Sequence, residues 1–134
     1  MALDIEDRLA VMELVALHGH LVDDGELDRL DELFTEDIVY DVTDLGHGSL
    51  VGLDAFRDAA LAMGARNPVG HHITNVILTD LGDGRIGARS KGIGINADGT
   101  CGSVTYEDTV VRGERGWRIS YRKVIARRTP LGAS

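Results

Sequence analysis

One cysteine, two prolines and six aromatic side chains (one tryptophan, three tyrosines, two phenylalanines) are all that these 134 residues contain of those types. The single cysteine, Cys101, excludes an internal disulfide and any Cys-rich zinc or iron–sulfur site. With so few aromatics there is no ordered series on which bases could stack. No apolar run approaches the roughly 18 residues a membrane helix needs. The start, Met-Ala-Leu-Asp-Ile-Glu-Asp, lacks the basic segment and apolar stretch of a secretory signal. These absences lead us to expect a cytoplasmic protein without a membrane partner. Phosphate-loop, dinucleotide-binding and His-Glu-x-x-His motifs are also missing, so neither a cofactor nor a metal is expected.

Basic charge is scarce in one half. Residues 1–60 hold 16 Asp/Glu and 3 Lys/Arg, whereas residues 61–134 hold 6 and 11, giving a net charge of −8 for the whole. An acidic chain repels nucleic-acid phosphates, so a small molecule is the expected partner. The basic cluster Arg122, Lys123, Arg127 and Arg128 reads as a solvated strand face, paired in part with acids of the other half.

What is present reads as a single domain over 1–134. Hydrophobic residues are 43% and charged residues 27%, a globular balance. Apolar positions from Ile5 to Val22 have helical spacing, with Asp4, Glu6 and Asp7 near the first turn. Asp23-Asp24-Gly25 stops that helix, Gly25 taking the left-handed cap. A short helix with Leu27, Leu30, Leu33 and Phe34 on one side follows, then a strand over 38–42. A third helix over 54–63 turns Phe56, Ala59, Ala60 and Met63 inward. Four strands complete the chain, over 71–79, 85–95, 102–111 and 117–127, with Asn96-Ala97-Asp98-Gly99 as a hairpin turn. Glycines at 87, 92, 94 and 102 mark bends or close approaches in the strands. The fold class is α+β, helices packed on one face of a curved sheet.

Four segments carry a family resemblance: His18-Gly19-His20-Leu21-Val22-Asp23-Asp24-Gly25, Leu33-Phe34-Thr35-Glu36-Asp37-Ile38-Val39-Tyr40, Gly70-His71-His72-Ile73-Thr74-Asn75-Val76 and Gly116-Trp117-Arg118-Ile119. Over about residues 4–128 the chain resembles the SnoaL-like branch of the nuclear transport factor 2-like superfamily. The resemblance implies a cone-shaped, curved antiparallel sheet with three helices enclosing an apolar pocket. It also implies a homodimer through the sheet face. It does not name a reaction, because dehydratases, cyclases, isomerases, epoxide hydrolases and non-catalytic subunits share this fold.

His71 and His72, adjacent on a strand, point to opposite faces. In scytalone dehydratase and bile-acid dehydratase relatives a strand histidine of this motif is the general acid/base, and the match falls on His72. Imidazole suits that work, since its free pKa of about 6.5 lets it take and return a proton near neutrality. Asp23 ends the first helix, where a carboxylate opposes the dipole; in the relatives an aspartate there orients the catalytic histidine. His18 stands where many relatives have a tyrosine that donates to substrate oxygen. His20, two residues on, faces another side of the helix. Tyr40, Val42, Phe56, Met63 and Leu14 are the expected substrate-binding residues.

Val42 matches the catalytic aspartate of ketosteroid isomerase, which argues against that route. Ser90 and Lys91 stand where the dehydratases carry a second histidine. An epoxide hydrolase is a further alternative, although Arg89, Arg118 and Arg122 show no aspartates in register. The expectation is a cofactor-free dehydratase, cyclase or isomerase acting on a small, largely apolar carbonyl or hydroxyl compound. The alternative is a non-catalytic ligand-binding or assembly subunit, like the small subunit of a ring-hydroxylating dioxygenase.

Overall fold

The computed structural model describes residues 3–132. Helix α1 spans Ile5–Asp23, opened by Asp4, whose side chain accepts from the Asp7 amide at 2.7 Å. Gly25 (φ +71°) supplies the left-handed turn at its end, and the amides of Gly25 and Glu26 donate to the carbonyls of Val22 and Leu21. The expected second helix is a 3-10 turn, Leu27–Glu32. Strands β1 (Phe34–Asp41) and β2 (Ser49–Val51) follow, then helix α2 (Leu53–Met63) and a 3-10 turn, Gly64–Arg66. β3 (Gly70–Gly82), β4 (Arg85–Ile95), β5 (Cys101–Gly113) and β6 (Gly116–Arg127) complete the sheet. The sequence gives no sign of β2; with three residues it is too short to show alternation.

The six strands form one curved, unclosed sheet in the order β2-β1-β6-β5-β4-β3. All neighbours are antiparallel except β1 and β6, which run parallel. That one pair departs from the expected all-antiparallel sheet. It arises because β6, the last strand, inserts beside the first.

Side chains on the concave face build the core with α1 and α2. Val11, Val15, Leu33, Phe34, Ile38, Ile86, Val110 and Ile119 are all essentially inaccessible to solvent. Phe34, Tyr40 and Phe56 meet edge to face, with ring centroids 4.8 to 6.0 Å apart. Three of the few aromatics thus make one wall between sheet and α2.

Two local features shape this face. β3 carries a bulge between Thr74 and Ile77, with Asn75 in the left-handed region (φ +58°), which bends the strand. β6 slips by one residue against β5 between Ile119 and Tyr121. After that slip the inward phase passes from Trp117 and Ile119 to Arg122 and Val124.

Candidate active site

α1 and the start of β3 lie unusually close. A Cβ on Gly19 would stand 2.4 Å from the carbonyl oxygen of His71, so only glycine lets the helix settle there. The approach brings Asp23, one turn on, against β3. Its Oδ2 accepts the backbone N–H of His71 at 2.9 Å, and its Oδ1 lies 2.6 Å from His71 Nδ1. The carboxylate that opposes the helix dipole is thus satisfied from the strand.

The histidine that meets Asp23 is His71, not His72. His71 pairs across the sheet with Gly94, which lines a cavity together with His71 itself. His72 pairs with the exposed Ile93 on the outer face and is itself exposed. The physical reason lies in the pleat: Ile73, two residues after His71, packs against the core, and period-two alternation carries His71 inward with it.

The cavity lies between the concave face and α2, with a volume of about 620 Å³. Its walls are Tyr40, Val42, Phe56, Val104, Tyr106 and Val124; His18 and His71 face it; Leu45, His47, Met63 and Arg66 stand at its open side. Of the expected substrate-binding residues, Tyr40, Val42, Phe56 and Met63 line it. Leu14 does not: it sits one turn back on α1, buried in the core. Asp41, beside Val42, faces the other way and accepts from Thr43 and the Tyr121 hydroxyl.

His18 is 2% exposed and its ring lies 5.3 Å, centroid to centroid, from that of His71. Its Nδ1 receives a hydrogen bond from Arg122 Nη1. Arg122 is itself wholly buried, gripped by Asp108 through two hydrogen bonds of 2.7 and 2.8 Å, and stacked over the Tyr106 ring at 4.3 Å. Arg122 therefore does not belong to a solvated basic face, and it does have an aspartate in register, since Asp108 is its direct cross-strand partner. The slip in β6 turns it inward, which simple alternation from Trp117 does not anticipate. Burial opposes its charge, but Asp108 outweighs that and holds its pKa above the ordinary arginine value.

These contacts assign the tautomers. A carboxylate only accepts, so His71 carries a proton on Nδ1, and in its neutral form Nε2 is the free base. A guanidinium only donates, so His18 keeps Nδ1 bare and carries its proton on Nε2. Burial, reinforced by Arg122 and by His71, pushes the His18 pKa well below its usual value, so it stays neutral. Burial likewise raises the pKa of Tyr40 and Tyr106, keeping both phenols protonated.

Ser90 is buried on the same face, its hydroxyl without a hydrogen-bond partner, while Lys91 points outward to Thr105 Oγ1 at 3.1 Å. His20 is exposed. Among the described residues no group of three or more His, Cys, Asp or Glu is placed to hold a metal ion. No helix among them is long and apolar enough to cross a membrane.

The comparisons with known proteins agree with this architecture. No curated protein matches the chain. Among solved structures, a candidate aromatic ring hydroxylase from Novosphingobium aromaticivorans is 28% identical, with a TM-score of 0.79 over 96% of this chain and 94% of that one. A nuclear transport factor 2-like protein with a cystatin-like fold, also from Novosphingobium aromaticivorans, is 26% identical, with a TM-score of 0.80 over 97% and 86%. A candidate scytalone dehydratase from the same organism, at 19% identity and a TM-score of 0.74 over 98% and 99%, shares the fold. The SnoaL-like domain model matches residues 4–123, and the chain belongs to that family.

Proposed function

We propose that the protein is a cofactor-free acid/base enzyme of dehydratase, cyclase or isomerase type, acting on a small, largely apolar compound with a carbonyl or hydroxyl group. One observation carries this reading. Two histidines share a cavity, and their Nδ1 atoms are engaged by partners of opposite charge, Asp23 and Arg122. One imidazole is thereby a base and its neighbour a neutral donor.

In this mechanism His71 Nε2 removes a proton from the carbon beside a carbonyl. The C–H electron pair becomes the new carbon–carbon double bond, and the carbonyl π pair moves onto oxygen. That oxygen accepts the Nε2–H of His18 as its charge grows. Asp23 stabilises the imidazolium formed at His71, as a carboxylate does for a catalytic histidine elsewhere. The proton then goes to a departing hydroxide, giving water and an alkene, or to another carbon of the same substrate. The buried Asp108–Arg122 pair lies outside the cavity lining, so it positions His18 and offers no water-activating surface of the epoxide-hydrolase kind.

Isotope exchange tests this mechanism whatever the final product. Hydroxylated tetralones are incubated in deuterium oxide, and exchange at the carbon beside the carbonyl is followed by NMR. The wild type is expected to catalyse exchange. His71→Gln should lose roughly 10²–10⁴-fold, while His72→Gln should match the wild type. Exchange that survives in a folded His71→Gln variant would remove this mechanism and favour a non-catalytic binding or assembly role.

A further inference from the structure

The cavity lining is chemically one-sided. It contains three histidines (18, 47 and 71), one arginine (Arg66) and two tyrosines, and no aspartate or glutamate. This holds in a chain with 22 acidic and 14 basic residues. The carboxylates behind the lining, Asp23 and Asp108, are taken up by His71 and Arg122. Arg66 is the one arginine in the cavity lining. Arg29, Arg57, Arg89, Arg112, Arg115 and Arg122 are each in an ion pair with an acid, whereas Arg66 has none among the described residues.

The turn that carries Arg66 is held firmly. The Asn67 side-chain amide donates to the carbonyls of Ala60 and Gly64 at 2.8 and 2.9 Å, tying the Gly64–Arg66 turn to the end of α2. Pro68 follows and also lines the cavity. The turn thus sets an exposed arginine, without an ion pair among the described residues, at the edge of a cavity whose lining has no carboxylate to repel an anion.

We propose that the natural ligand is an organic acid: an apolar ring body enclosed between Tyr40, Phe56 and Val104, with one carboxylate met by Arg66. A guanidinium presents paired donors to a carboxylate, which a neutral group of the same shape cannot use. Arg66 is then a specificity residue, separate from His71, which moves the proton. This inference rests on the reading of the cavity as a substrate site.

The test compares two probes of matched shape, 2-naphthoate and 2-acetylnaphthalene, by isothermal titration calorimetry. The wild type is expected to bind the acid about three- to tenfold tighter, the preference shrinking as salt is raised. Arg66→Gln should abolish the preference and leave 2-acetylnaphthalene binding unchanged; Arg66→Lys should restore part of it. Equal affinities in the wild type, binding of neither probe, or a preference that persists in Arg66→Gln would overturn the proposal. The acid/base reading fails on a different result, retained isotope exchange in His71→Gln, so the two failures are distinguishable.

Discussion

At the scale of single residues, the burial of a neutral histidine has a measurable consequence. The folded-state pKa of His18 is depressed, chiefly by burial. In the unfolded chain it titrates near the ordinary value of 6.5. Below that pH the unfolded state binds a proton that the folded state refuses, so this contribution to stability is complete above 6.5 and is lost as pH falls. Thermal unfolding between pH 8 and pH 5 should therefore show a falling midpoint, and His18→Gln should flatten the fall. Arg122 offers a second prediction. Arg122→Met leaves Asp108 buried and unpaired, which should cost about 3–5 kcal/mol in urea unfolding; the double variant with Asp108→Leu should recover much of it. These residues differ in how legible they are from sequence. Asp23 stands out because a carboxylate at a helix C-terminus needs a partner. The choice between His71 and His72 is legible in Ile73, whose apolar side chain shares a face with His71. Arg122 is not legible, because the slip at Ser120 inverts the alternation that would leave it in solvent.

At the scale of elements, the site depends on how α1 meets β3. Gly19→Ala would place a methyl group against the His71 carbonyl, pushing helix from strand. The expected cost is roughly 1–3 kcal/mol of stability, from overpacking, together with loss of the Asp23–His71 contact. Histidine NMR checks this: the His71 Nδ1–H signal expected in the wild type should vanish in Gly19→Ala. Helix limits, the Gly25 cap and β4 are all readable from periodicity and turn residues. The bulge at Asn75 is not, since a left-handed asparagine within a strand leaves no apolar pattern.

At the scale of the molecule, the unequal charge of the two halves is resolved by packing one on the other. Asp7 of α1 meets Arg112 and Trp117, and Asp31 meets Arg115. The outer face of the sheet carries exposed apolar side chains, Ile77, Ile93 and Tyr121. We propose that this face joins two copies of the chain. Sedimentation should give a dimer at micromolar concentration, and Ile77→Glu with Ile93→Glu should give a monomer without loss of fold.

The parallel pairing of β1 with β6 also bears on the order of events when the chain is made. β3, β4 and β5 form a continuous meander from local pairings, but β1 has its main neighbour some eighty residues downstream. The Arg122 that holds His18 comes from the same late strand. A growing chain can complete its meander and set α1 on β3 while β1 has only the short β2 beside it, and β1 gains its second neighbour when β6 leaves the ribosome. The completion of the cavity wall therefore waits for β6, and a chain stopped short of Gly116 keeps its meander but lacks Val124 in that wall and the Arg122 that holds His18.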